Sequence, residues 1–94
     1  MKTEYQNNII TKLKKIREHN NYSQNDLASA INMTYGQLGN IESFKQPHKY
    51  TLEQIYKICK VFNISITDIF LENVDNNKGN IINELIERII EYEK

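Results

Sequence analysis

Gln37 and Asn40 are two carboxamides one helical turn apart, with Tyr35 just before them. A carboxamide presents a donor and an acceptor side by side, which is what an adenine edge offers in the major groove of duplex DNA. A tyrosine ring can touch a thymine methyl, and its hydroxyl can reach a base or a phosphate. On a helix these three side chains point away from the apolar stripe of Leu38 and Ile41. The usual residues of catalysis are not assembled in this way. His19 and His48 stand on or beside loops, with no second ligand at metal spacing. Cys59 lies in an apolar stripe with Ile55, Ile58 and Phe62 and reads as a core residue. No glycine-rich phosphate loop and no nucleophile–base pair is recognisable. The expectation is a protein that is not an enzyme, with no catalytic residue, metal or cofactor.

The segment around these amides carries two helix starts, Ser23-x-x-Asp26 and Thr34-x-x-Gln37. In each, a hydroxyl can cap a free backbone N–H while the side chain three residues on reaches back. Asn32 lies between them and tolerates the left-handed conformation of a sharp helix exit. Leu27, Ala28, Ile31, Leu38 and Ile41 fall on inward faces, and Ala28 is small where two helices must approach closely. Two short helices meeting at a tight corner form a helix-turn-helix, a device that offers its second helix to the major groove.

The rest of the chain continues in helices. Apolar residues recur at helical spacing, strand signals are almost absent, and Thr51-x-x-Gln54 and Ser65-x-x-Asp68 repeat the capping form. Helices are predicted at roughly 4–19, 24–31, 35–43, 52–62 and 66–71, with a sixth at roughly 81–93. Pro47 separates the third from the fourth, and residues 72–80 are polar turn formers that read as a linker. The sixth helix bears Ile81, Ile82, Leu85, Ile86, Ile89 and Ile90 in one broad stripe. A helix this short is marginal in water and must dock on something. It can dock on its own domain, but the linker and the many branched aliphatics favour pairing with a second copy through Ile82, Leu85, Ile86, Ile89 and Ile90. The expected organisation is a domain at residues 1–71, a linker at 72–80 and a dimerisation helix at 81–94.

The 94 residues suit one small domain. No apolar run approaches the ~20 residues of a membrane span, the N-terminal residues do not resemble a signal peptide, and one cysteine excludes an internal disulfide, so a cytoplasmic location is expected. Zero net charge hides a gradient: +3 over residues 1–22, 0 over 23–71 and −3 over 72–94. A nucleic-acid surface belongs on the first two segments, away from the tail. Lys12, Lys14 and Lys15 read chiefly as a solvated face.

Leu13-Lys14-Lys15-Ile16-Arg17, Tyr22-Ser23-Gln24-x-x-Leu27-Ala28, Ile41-Glu42 and Ile64-Ser65-x-x-Asp68-Ile69-Phe70 occur in this order. With these anchors the chain resembles the Cro/phage-repressor-like (XRE-type) helix-turn-helix family over about residues 9–71. The resemblance implies an all-α fold of five helices, here with an extra C-terminal amphipathic helix, and a cytoplasmic transcription regulator that binds double-stranded DNA. By position in the family motif, Tyr35, Gly36 and Asn40 face base edges with Gln37 close by. Gln24, Thr34, Ser43 and Lys45 approach phosphates, and Arg17 pairs with Glu42 to fix helix orientation. A homodimer on a pseudo-palindromic operator follows, acting as a repressor more readily than as an activator. Two other readings stand beside it: the antitoxin of a toxin–antitoxin pair, with a toxin as protein partner, and an interaction module that no longer binds DNA. Gly36 and Gly39 inside the reading helix, the absence of Arg or Lys from Thr34 to Ser43, and Phe44 where the family has glycine are departures. They point to A/T-leaning recognition or modest affinity that depends on dimerisation.

Overall fold

Helix starts in this chain are set by side chains that reach a few residues along the backbone. A computed structural model describes residues 1–71 and 80–94. Its helices are α1 (Glu4–His19), α2 (Gln24–Ala30), α3 (Tyr35–Glu42), α4 (Leu52–Phe62), α5 (Ile66–Phe70) and α6 (Ile81–Glu93), and no strand occurs among the described residues. Complete capping boxes open α1 to α5, led by Thr3, Ser23, Thr34, Thr51 and Ser65. Asn80 caps α6 through its Oδ1, which accepts from the N–H groups of Ile82 and Asn83. Each cap is worth about 1 kcal/mol and fixes where its helix begins. The box at Thr3 and Gln6 has the same form as the others and adds to those read from the sequence.

The ends of α1, α2 and α4 are set by asparagine. Asn21, Asn32 and Asn63 hold φ of 59°, 61° and 53°, the left-handed region. At α2 the N–H of Met33 donates to the Ala28 carbonyl at 2.8 Å and that of Asn32 to Ser29 at 3.4 Å. At α1 the N–H of Tyr22 bonds the Arg17 carbonyl, and at α4 that of Ile64 bonds Cys59. These paired bonds satisfy carbonyls that a helix end leaves open. Glycine is the usual residue there; this chain uses asparagine, whose short polar side chain tolerates the left-handed well.

Ile10, Leu13, Leu27, Leu38, Ile55 and Ile58 are fully buried and place the core between α1, the α2–α3 corner and α4. Cys59 joins it, and burial pushes its thiol pKa up. Lys12 is half-buried, and its Nζ donates to the Asp68 carbonyl of α5 at the protein surface.

α6 packs back onto this domain. Leu85 and Ile89 lie against the core, and Tyr92, one turn on, is 1% exposed with its ring edge-on to Phe70 at 6.0 Å. Leu85 and Ile89, expected on the pairing face, are half-buried against their own domain. The physical reason is width: the aliphatic stripe is broader than one packing surface, so it divides. The inner row is completed by Tyr92, and Ile82, Ile86 and Ile90 remain outside at 63%, 49% and 53% exposure. The linker expected at 72–80 lies, apart from Asn80, outside the described residues.

Candidate nucleic-acid interface

The α2–α3 corner is closed by packing and by one buried ion pair. Leu27, Ala28 and Leu38 are each no more than 1% exposed, so the two helices approach closely at the alanine. From α1, Arg17 Nε donates to Glu42 Oε2 and Nη2 to Oε1, both at 2.9 Å, a fork-to-fork pair. Arg17 Nη1 also donates to the Tyr22 carbonyl at 2.7 Å, which ties the α1–α2 turn to the same guanidinium. Burial alone would lower the Arg17 pKa, but the hydrogen bonds and charge of Glu42 outweigh it and the group is held above its ordinary value. The pair therefore orients α3 and neutralises the one carboxylate that α3 carries. Removing one partner of such a buried pair costs about 3–5 kcal/mol.

Gln24 donates from Nε2 to Glu42 Oε1 at 2.9 Å. Its side chain is half-buried and bonded to the ion pair. The physical reason is that Glu42 has four lone-pair sites, and Arg17 does not use them all. Lys2 was not marked by any sequence signal. Its Nζ donates to the carbonyls of Ile41 and Ser43 at 2.7 and 2.8 Å. A cation there meets open carbonyls at the C-terminal end of α3 and the negative end of its dipole. Burial lowers the Lys2 pKa.

With its inner side fixed, α3 turns Tyr35, Gly36, Gln37 and Asn40 outward, and all four are exposed, Tyr35 at 60%. Gln37 has two duties. Its Oε1 accepts from the Thr34 N–H at 3.0 Å while its own N–H donates to Thr34 Oγ1 at 3.1 Å. The cap uses one of the two lone pairs of its oxygen and leaves the amide NH₂ as outward donors, while no bond of this kind engages the Asn40 carboxamide among the described residues. Thr34 is exposed with its hydroxyl oxygen in the cap. Ser43 is half-buried and its Oγ accepts from the Lys45 N–H at 3.3 Å; Lys45 is exposed.

Neither glycine of α3 is needed by the fold. A methyl added at Gly36 meets nothing within 4 Å, and one at Gly39 would lie 3.7 Å from Gln24 Oε1, an ordinary contact. Both backbones are helical, so alanine would suit them better by up to about 1 kcal/mol. The outer surface of α3 is thus smooth at Gly36, uncharged and polar at Asn40.

Beyond Asn40 the surface falls into a groove of about 290 Å³, lined by Gln37 and Asn40 on one wall and by His48, Lys49, Thr51 and Gln54 on the other. Sequence reasoning did not bring this second wall to the site. The signal was the pair of basic side chains after Pro47, but only the return of the chain along α3 places them beside Asn40. Among the described residues, no group of three or more His, Cys, Asp or Glu side chains is placed to hold a metal, and no helix is long and apolar enough to cross a membrane.

Comparison with curated proteins and with solved structures gave no match. A family model described as a Cro/C1-type HTH DNA-binding domain matches residues 12–71. That span holds Arg17, the α2–α3 corner, Glu42 and the groove, and it covers more than half of the sequence. The chain belongs to the Cro/C1-type helix-turn-helix DNA-binding family.

Proposed function

We propose that this protein is a sequence-specific transcriptional regulator that binds a pseudo-palindromic operator as a homodimer. The observation that carries this reading is the outward face of α3, where exposed Tyr35, Gly36, Gln37 and Asn40 serve no packing purpose on a helix clamped by a buried ion pair. Asn40 reads a base edge, Tyr35 gives a thymine contact, and Gly36 lets the backbone approach the duplex closely. Thr34, Ser43 and Lys45 approach phosphates, joined by the remaining N–H of Gln24. With no Arg or Lys between Thr34 and Ser43, the commonest guanine contact is missing and A/T-leaning sites are favoured.

The exposed row Ile82, Ile86 and Ile90 supports pairing of α6 with a second copy. Two reading helices then enter successive major grooves about 34 Å apart. Repression by occluding polymerase needs nothing more than this, and a cytoplasmic location fits it. The same isoleucine row supports a second reading, an antitoxin that holds a toxin there. An adjacent reading frame encoding a small toxin would favour it.

Selection of bound sequences from a random duplex pool by the full-length protein tests the main reading. The expected result is an inverted repeat, A/T-rich where α3 sits, with half-sites one helical turn apart. Absence of any enriched sequence at low salt would leave only an interaction module.

A further inference from the structure

The last turn of α6 reaches the far wall of the groove that faces the reading helix. Tyr92 is buried between exposed Glu91 and Glu93. Its hydroxyl donates to the Tyr50 carbonyl at 2.8 Å, and its own carbonyl accepts from Gln6 Nε2 at 2.6 Å and from Lys49 Nζ at 3.2 Å. The Lys49 ammonium also lies 5.5 Å from the centre of the Tyr92 ring, within cation–π range. Lys49 lines the groove beside Asn40, and Tyr50 directly precedes Thr51, which lines it too and caps α4.

The segment held in this way does little to hold itself. From Phe44 to Tyr50 the local bonds among the described residues are those from the N–H groups of Lys45 and Gln46 to Ser43, both at 3.3 Å. A segment with so few bonds of its own takes its order from what it is tied to. The tie on the α6 side is double, to a main-chain carbonyl and to a side-chain ammonium of consecutive residues. On the inner side the Tyr50 ring is buried, and its hydroxyl, without a hydrogen-bond partner among the described residues, feels the charges of Glu42 and Arg17.

We propose that Tyr92 is a positioning residue for the nucleic-acid interface: by pinning Lys49 and Tyr50 it sets the wall opposite Asn40, so that docking of α6 and DNA affinity rise and fall together. The idea rests on the DNA-binding reading above and extends it, because it gives the inner face of α6 a role separate from the pairing of its outer face. Lifting α6 from the core releases Lys49 and loosens one wall of the site while α3 itself stays clamped by Arg17.

The test compares the parent with Tyr92→Phe and Tyr92→Ala, all full-length. Three quantities are read: backbone order parameters of residues 44–51 by NMR, oligomeric state by sedimentation, and affinity for the duplex that the parent selects from a random pool. Tyr92→Phe loses only the bond to Tyr50. It should lower order at 49–51 and weaken DNA binding a few-fold with an unchanged oligomeric state. Tyr92→Ala should take the segment from about 0.85 to below about 0.6, the range of mobile backbone, and weaken binding about ten-fold. If Tyr92→Ala fails to fold, the phenylalanine variant carries the test. An equally ordered segment in the variants would overturn the clamp. A loosened segment with unchanged affinity would overturn its coupling to DNA, as would lost affinity with the segment still ordered. Should the parent select no duplex, the DNA-binding reading fails and the coupling fails with it, while the order parameters still report whether Tyr92 holds the segment.

Discussion

α3 and α6 each lay one face on the core, yet their outward faces have opposite chemistry. α3 shows a phenol, two carboxamides and a bare glycine; α6 shows Ile82, Ile86 and Ile90 in a row. α3 is also held more elaborately. A buried ion pair fixes its last turn from α1, Lys2 satisfies its final carbonyls, and a capping box fixes its start. α6 is held by Leu85, Ile89 and the several bonds of Tyr92. A polar face must sit at a defined distance and angle to match base edges, and its hydrogen bonds fail when displaced. An aliphatic face tolerates looser placement, because burial of apolar area has no direction. The contrast supports the proposal that α3 carries orientation-dependent recognition and α6 carries association.

The comparison is broken most severely at the ion pair. Arg17→Met leaves the Glu42 carboxylate buried and uncompensated and should destabilise the protein by about 3–5 kcal/mol in denaturant unfolding. An effect below about 1 kcal/mol would mean that α3 is not held there. Next is the outer face of α6. Replacing Ile82, Ile86 and Ile90 together by Gln should shift the protein to monomer in sedimentation and reduce operator affinity by about 10²-fold or more, since the second half-site is no longer tethered. Its melting temperature should move little at low protein concentration, where those side chains are exposed in both forms. An intact dimer would place the association elsewhere.

Asn40→Ala should cost about 1–3 kcal/mol of specific binding and relax one base position, with stability within about 0.5 kcal/mol of the parent. An unchanged selected-site pattern removes Asn40 from the readout. Gly36→Ala sharpens the comparison because its two effects have opposite signs. The added methyl meets nothing in the protein, so stability should rise by up to about 1 kcal/mol. DNA binding should fall if the duplex backbone comes as close as a glycine allows. A variant that gains stability and keeps full affinity would show that Gly36 does not face DNA.

The smallest effect is on the alkaline side. Burial holds the Tyr50 and Tyr92 phenols protonated well above their ordinary value of 10.0. A group whose pKa is raised on folding stabilises the fold while it is protonated in both states, and that stability is lost as pH rises past its unfolded value. Helicity measured by circular dichroism should therefore start to fall above about pH 10, with the Tyr92→Phe variant falling later. An identical profile for that variant would exclude Tyr92 as the titrating group.

The parts of this molecule that are legible in sequence are local. Ser23 with Asp26, Thr34 with Gln37 and Asn32 each specify a cap within four residues, so the helix boundaries follow from the chain itself. Thr3 with Gln6 and the asparagines at 21 and 63 carry the same chemistry, but no neighbouring apolar break sets them apart from the many other polar residues of this chain. What spacing does not encode is the long-range polar contact. Lys2 meets Ile41 across 39 residues, and Gln6 meets Tyr92 across 86. The stripe on α6 likewise gives no sign that Leu85 and Ile89 turn inward while Ile86 and Ile90 turn out, since that choice is made by where Tyr92 finds the core. The outward face of α3 was legible because its partner surface, Leu38 and Ile41, lies in the same short helix.

The most direct measurement is an NMR titration of the isotope-labelled full-length protein with a duplex it has selected. The account predicts that the largest shift changes fall on Thr34 to Asn40, with smaller ones at Ser43, Lys45 and Lys49, and that the outer residues of α6 stay still. Changes centred on Ile82, Ile86 and Ile90, with Tyr35 and Asn40 unmoved, would contradict it.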